Sequence, residues 1–192
     1  MRQIVLVSRS PRRAELLRRI GIPFVQLTPP DDSYTPSSLS PSEFAMFSAI
    51  KKLEAVPSEH DKIYAAFDTI VYIDGEILLK PAGSASAKMM LERLSGTWHE
   101  VFTGIAIKKQ DKILSDFEVT RVKFYKLKEE EIEAYIATGE PFDKAGAYGI
   151  QEKGALLVER LDGCYFNVVG LPVGKFVRML GKFGIKLKEL LE

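Results

Sequence analysis

The stretch IVLVSRSPRRAELLRRIG, Ile4 to Gly21, joins four apolar residues to a short polar turn and then to a run of helical period. Pro11 suits the first helical position, with Ser10 as the N-cap before it. Gly21 is the natural stop. The stretch therefore reads as strand, turn and helix, with the helix over 11–20. A fold that starts this way puts a sheet under a helix. The same reading sets Arg12 and Arg13 in the first helical turn, where the dipole favours anions and not cations.

Working outward, residues 23–27 read as a second strand and 28–40, with three prolines, as a loop. Ser40-Pro41-Ser42-Glu43 is a capping box with proline at its first helical position, opening a helix to about Val56. Residues 63–73, IYAAFDTIVYI, are too apolar for an edge and read as a buried strand, turning at Asp74-Gly75. SASAKMMLERL (84–94) reads as helix. Residues 98–107 and 112–125 read as long strands joined around Gln110-Asp111, and 128–137 as a helix ended by Gly139. Residues 155–168 suggest a hairpin turning at Asp162-Gly163, and 172–183 a helix, with a short helix in the basic tail. Strands and helices mix without strict alternation, which predicts α+β, or α/β with a mixed sheet. No composition shift marks a linker, so residues 1–192 are expected to form one domain, or one domain with two lobes.

Composition excludes several classes. Lys and Arg number 27 against 26 Asp and Glu, a net charge of +1, so no global field favours nucleic acid. No apolar run approaches a membrane span, and none at the N-terminus is long enough for a signal peptide. One cysteine, Cys164, excludes an internal disulfide framework and fits a reducing cytosol. His60 and His99 are too far apart in sequence for a zinc motif. Neither GxGxxG nor GxxxxGK[ST] follows the first strand, and no GxSxG elbow occurs.

Four clusters carry candidate chemistry. At Ser8–Arg13, free N–H groups and two guanidinium groups make an anion site, since Arg suits phosphate oxygens. The alternative is that both arginines pair with Glu15 or a distant acid. In AAFDTIVYIDGEILLKP (65–81), Asp68 interrupts an apolar run, a costly place for a carboxylate unless it is paired, metal-bound or working. Asp68 can activate water or bind Mg²⁺ and Lys80 can neutralise phosphate, or the two form a structural ion pair. GEPFDKAGAYGIQ (139–151) is a long charged loop with glycines at 139, 146 and 149 and with Glu140, Asp143, Lys144 and Gln151 between or beside them. Loops of that length in compact domains are usually functional. NVVGLP (167–172) serves either a site or plain packing and capping.

SRSPRRAELL, FDTIV, LLKP, LSGTWHEVFTG, EPFDKAGAYGIQ and NVVGLP, in this order and spacing, resemble the Maf proteins, the septum-formation inhibitor family of nucleoside triphosphate pyrophosphatases. The resemblance runs the length of the chain. It implies an elongated mixed sheet with flanking helices, similar to the inosine triphosphate pyrophosphatases, with two lobes around a cleft. It implies cleavage of a nucleoside triphosphate to the monophosphate and pyrophosphate with a divalent metal, Mg²⁺ or Mn²⁺. Asp68 matches the family's proton acceptor. Arg12, Thr69 and Gln151 match positions linked to substrate choice in the dTTP/UTP branch, whose pattern this chain follows. Ser8, Arg13, Lys52, Lys80, Asp143 and Lys144 match other cleft positions. Ser33 stands near the family's usual Glu, so Asp31 or Asp32 is expected to join Asp68 as metal ligand, with Asp32 taken as that ligand. Phe67 stands where the family usually has a small residue.

The expectation is thus a cytoplasmic hydrolase of dTTP and UTP, without nucleic-acid or membrane partners and open to pairing as a homodimer through 98–125. Asp68 would act on the attacking water, Arg12 and Arg13 on the triphosphate without supporting the fold, and Lys52, Lys80 and Lys144 on the leaving group. Gln151 would read the base. The alternative is a nucleotide-binding regulator of septum formation with little catalysis.

Overall fold

A computed structural model describes residues 3–30 and 38–192. In chain order the elements are β1 (Ile4–Val7), α1 (Pro11–Arg19), β2 (Phe24–Leu27), α2 (Pro41–Glu54), β3 (Ile63–Ile73), β4 (Glu76–Leu78), α3 (Ser84–Leu94), β5 (Trp98–Lys109), β6 (Lys112–Phe124), α4 (Glu129–Ala137), β7 (Val158–Asp162), α5 (Tyr165–Val169), α6 (Val173–Gly181) and α7 (Leu187–Leu191). Among the described residues the strands form one mixed sheet in the order β2-β1-β3-β5-β6-β7, with β4 paired to β3. The mixed sheet with helices is the fold class expected. No described helix is long and apolar enough to cross a membrane.

The chain divides into two compact units, and β3, β5 and β6 each contribute to both. The first comprises residues 1–68, 103–118 and 170–192. Here β1 lies parallel between β2 and β3, with Ile4 opposite both Phe24 and Ile63. The opening stretch folds as read. Ser10 is the N-cap of α1 and Pro11 its first residue. Gly21 closes the helix at φ 73°: its N–H reaches Arg18 O and that of Ile22 reaches Leu17 O, a Schellman end. α2 opens on the expected capping box, Ser40 and Glu43 exchanging bonds. Strand period 2 puts Tyr64, Ala66 and Asp68 on one face of β3. There Tyr64 and Ala66 join Ala49, Leu53 and Val56 in a core shared with Val5, Val7 and Ala106. Phe67, on the opposite face, is fully buried and meets the Phe176 ring edge-on at 5.2 Å.

The second unit comprises residues 69–102 and 119–169. β3 and β4 form a two-residue hairpin at Asp74 (φ 48°) and Gly75 (φ 83°), the left-handed pair that such turns require. Its core gathers Val71, Leu91, Leu94, Val101, Phe124, Ile132 and Tyr148 among others. The hairpin expected over 155–168 is not formed. Only its first arm is a strand: β7 pairs antiparallel with β6, Arg121 opposite Asp162. The chain then passes Gly163 and enters α5. Thr120 explains the difference. Its hydroxyl donates to Cys164 O and accepts from Cys164 N and from Asn167 Nδ2, and Asn167 Nδ2 also donates to Val101 O. These bonds capture the segment as a turn and helix, so NVVGLP starts with the packing role weighed for it.

His99 lies in this second core, 2% exposed. Its Nε2 is 2.8 Å from the Tyr148 hydroxyl, and Phe124 and Tyr148 meet its ring edge-on. Nδ1 has no partner among the described residues. Burial pushes the imidazole pKa down to about 3, while the unfolded chain titrates near 6.5. The folded state therefore keeps His99 neutral, and its contribution is complete above pH 6.5 and declines as pH falls toward 3. At ~1.4 kcal/mol per pH unit, lowering pH from 6.5 to 5 removes about 2 kcal/mol. Urea unfolding at the two pH values checks this: His99→Phe should show a pH-dependence smaller by about that amount. An identical dependence in wild type and variant would contradict it.

Candidate active site

Each unit holds one group of the candidate residues. In the first, β1 leads into a turn fixed by Ser8, which is buried. Ser8 N donates to Leu27 O, Gln26 Nε2 donates to Ser8 O, and the Ser8 hydroxyl accepts from Ser10 N at 3.1 Å and Arg13 Nη1 at 3.4 Å. The turn thus delivers the start of α1 in a defined position. Glu15, weighed from sequence as a partner of the first-turn arginines, pairs with Arg19 at 2.6 Å. Arg12 is partly exposed.

Arg13 corrects an expectation. It is buried, donates from Nε to Gly170 O at 2.7 Å, and lies over the Phe67 ring at 5.9 Å. Removing it would strand a buried carbonyl, so it does support the fold. The same contact accounts for Phe67: its ring fills the space between Phe176 and the guanidinium group.

The centre of this group is an ion pair. α2 carries a buried stripe, Ala45, Ser48, Ala49, Lys52 and Leu53, at helical spacing. Lys52 therefore points into the face of β3 that carries Asp68. Its Nζ donates to Asp68 Oδ1 at 2.5 Å and to Phe67 O at 3.1 Å. The Lys52 side chain is 8% exposed and that of Asp68 21%. The partner of Asp68 is thus Lys52, not the Lys80 weighed from sequence. The pair holds the carboxylate in one orientation where water still reaches it.

In the second unit, Thr69 follows Asp68 on β3 and is partly buried, and Lys80 is exposed just past β4. The 139–151 segment is ordered as short 3₁₀ turns, Glu140–Asp143 and Ala145–Ala147. Lys144 is buried, and its Nζ donates to Asp143 Oδ1 and to Glu140 O, both at 2.7 Å. Gly146 at φ 67° has no room for a Cβ, which would meet Val71 Cγ2 at 2.7 Å, and Ala147 follows at φ 59°. Glycine takes this conformation freely, whereas a left-handed alanine stores strain of the kind that gathers at functional segments. Gln151 is exposed at the end of this segment. Asp32 and Ser33 lie outside the described residues.

Two features were not read from sequence. The Lys52–Asp68 pair had one available signal, a lysine on the apolar stripe of α2. Tyr135, whose hydroxyl donates to Glu140 Oε1 and accepts from Gly149 N, had another: a tyrosine at a buried position of α4 requires a partner for its hydroxyl.

A sequence profile of the Maf-like proteins matches residues 3–183. The chain belongs to the Maf family. A relative from Symbiobacterium thermophilum named dTTP/UTP pyrophosphatase is 48% identical over 185 residues, covering 96% of this chain and 95% of that protein. Another of the same name from Bacillus cereus is 47% identical, covering 96% and 97%. A solved structure of a HAM1 protein from Coxiella burnetii is 12% identical, covers 95% of this chain and all of that one, and superposes with a TM-score of 0.53. At that identity the likeness is one of fold, and it agrees with the fold implied by the Maf resemblance.

Proposed function

We propose that this Maf protein is a pyrophosphatase that hydrolyses UTP and dTTP to the nucleoside monophosphate and pyrophosphate. The observation that carries the reading is the Lys52–Asp68 pair: an oriented carboxylate, partly open to water, inside an otherwise apolar strand. The names and high coverage of the relatives support the substrate class.

The reaction follows from what the residues can do. Asp68 accepts a proton from a water as the water oxygen attacks the α-phosphorus. The bond from that phosphorus to the α,β-bridging oxygen breaks, and pyrophosphate departs with the bonding electrons. Lys52 holds Asp68 through Oδ1, leaving the carboxylate a second oxygen for the water. The N–H groups at the start of α1, with Arg12 and Arg13, bind phosphate oxygens. On the Maf resemblance, Lys80 and Lys144 are the cations that would offset charge on the leaving pyrophosphate.

Among the described residues, no group of three or more His, Cys, Asp or Glu is placed to hold a metal ion. That donor set still fits Mg²⁺ or Mn²⁺, because Mg²⁺ commonly uses one or two carboxylates and completes its shell with substrate phosphates and water. Asp68 would hold it, with Asp32 as the further carboxylate. When bound, the cation supplies positive charge to the phosphate oxygens. The single cysteine supports a cytoplasmic location.

Gln151 reads the base. Its amide offers a donor and an acceptor side by side, the complement of O4 and N3–H of uracil or thymine. Cytosine presents the reverse pair, and a group left unpaired once the base covers it costs about 1–3 kcal/mol, enough for tenfold to hundredfold selectivity. Pyrophosphate release measured with Mg²⁺ or Mn²⁺ should therefore rank UTP and dTTP well ahead of CTP, ATP and GTP. Gln151→Ala should narrow the gap between UTP and CTP, mainly by slowing UTP. Equal rates on CTP and UTP, or a purine as best substrate, would overturn the base-reading model. Binding without any release would favour the regulatory reading.

A further inference from the structure

We infer that Glu140 and Tyr135 are positioning residues that set base selectivity by fixing the chain on both sides of Gln151. The inference rests on the reading of Gln151 as the base-contacting residue.

Tyr135, buried on α4, donates its hydroxyl to Glu140 Oε1 at 3.0 Å and accepts from Gly149 N at 3.2 Å. Glu140 Oε1 also accepts from Gly154 N at 3.2 Å, and Oε2 accepts from Lys153 N at 3.0 Å. Burial and the neighbouring Glu140 hold the Tyr135 hydroxyl pKa above its ordinary value, so it stays protonated and keeps donating. The two side chains thus bind the backbone at 149, two residues before Gln151, and at 153 and 154, just after it.

The neck of the segment is closed further. Glu140 N donates to the Thr138 hydroxyl, and Glu140 O accepts from Lys144 Nζ. A Cβ at Gly154 would stand 2.2 Å from Gly149 O and 2.6 Å from the Tyr135 hydroxyl, so the two arms touch there. Glu140 therefore does more than cap a turn. Its carboxylate accepts from two amides and a phenol at once, and Gln151 sits on the short span they bracket. An exposed glutamine on a free loop would flip its amide at little cost and accept uracil or cytosine alike. Held on both sides, the backbone that carries Gln151 is fixed, so the amide approaches the base from one starting point and loses less freedom in pairing with it.

The test compares kcat and KM for UTP and CTP in wild type, Gln151→Ala, Glu140→Gln, Glu140→Ala and Tyr135→Phe, with thermal unfolding alongside. Glu140→Gln keeps one acceptor and turns an NH₂ toward a backbone N–H. It should reduce the UTP-over-CTP ratio by about fivefold, chiefly through a raised KM for UTP, with kcat on UTP within about threefold of wild type. Glu140→Ala should reduce the ratio further and Tyr135→Phe less. Should Glu140→Ala fail to fold, the other two variants carry the comparison. If Gln151→Ala lowers the ratio while the Glu140 and Tyr135 variants leave it unchanged, slowing both substrates equally or lowering stability alone, the positioning role is overturned and the base reading stands. If Gln151→Ala itself leaves the ratio unchanged, the base reading fails and this inference with it.

Discussion

Asp68→Asn should lower the turnover of UTP by roughly 10²-fold or more while nucleotide binding survives. The substitution keeps the shape and one oxygen that can accept from Lys52 Nζ, now 2.5 Å from Oδ1. What it removes is the basicity that takes the proton from water. Lys52 retains its bond to Phe67 O, so the partner is not left without an acceptor. The lost negative charge weakens a largely buried pair, and thermal unfolding should accompany the kinetics to show that the variant is folded. Turnover measured by pyrophosphate release, and affinity by calorimetry with a non-hydrolysable UTP analogue, separate chemistry from binding. Near-normal turnover would remove Asp68 from the chemical step. Loss of affinity with turnover preserved would make it a binding residue only.

What the sequence disclosed is what local rules govern. Ser10-Pro11 and the Ser40–Glu43 box mark helix starts because such signals use neighbours in the chain; both helices begin where read, with a side-chain cap bond at Ser40 and none at Ser10. The run Ile63–Ile73 declared itself by composition, and Asp68 stood out within it for the same reason. What stayed hidden depends on residues distant in sequence. Nothing in the first turn of α1 reveals that Gly170 O, 157 positions away, accepts from Arg13, so dipole arithmetic alone misjudged that residue. Asp162-Gly163 carries a legitimate hairpin signal, but Thr120 and Asn167 hold the following segment in place of a return strand. The Lys52–Asp68 pair needs the packing of α2 on β3 to be known first. The Glu140 network lay inside a motif already singled out, yet its bonds run mostly to backbone amides, which leave no mark on the sequence.

Gly104→Ala should be the most destabilising single methyl in the first unit. Gly104 lies on β5 two residues before Ala106, hence on the same face, the one against α2. A Cβ there would sit 2.2 Å from both the carbonyl carbon and oxygen of Ala45 and 2.5 Å from Met46 N. These are backbone atoms of a helix and cannot turn aside as a side chain can. Reaching ordinary contact near 3.4 Å requires a displacement of about 3.4 − 2.2 = 1.2 Å. α2 cannot take it up freely, because Phe44, Ala45, Ala49 and Leu53 are buried at 2% exposure or less. Overpacking a close-packed core costs typically 1–3 kcal/mol, and a clash with helix backbone belongs at or above the top of that range, about 3 kcal/mol or more. Against a total stability of roughly 5–15 kcal/mol, that is a large fraction. Urea unfolding should show the midpoint lowered accordingly; a loss below about 1 kcal/mol would mean that α2 shifts without resistance. The same methyl reaches the chemistry. Lys52 lies seven residues beyond Ala45, two turns along the same face of α2, so a helix lifted at Ala45 draws Lys52 Nζ away from Asp68. Variant protein that remains folded should therefore also turn over UTP more slowly, with no contact between position 104 and the substrate needed to explain it.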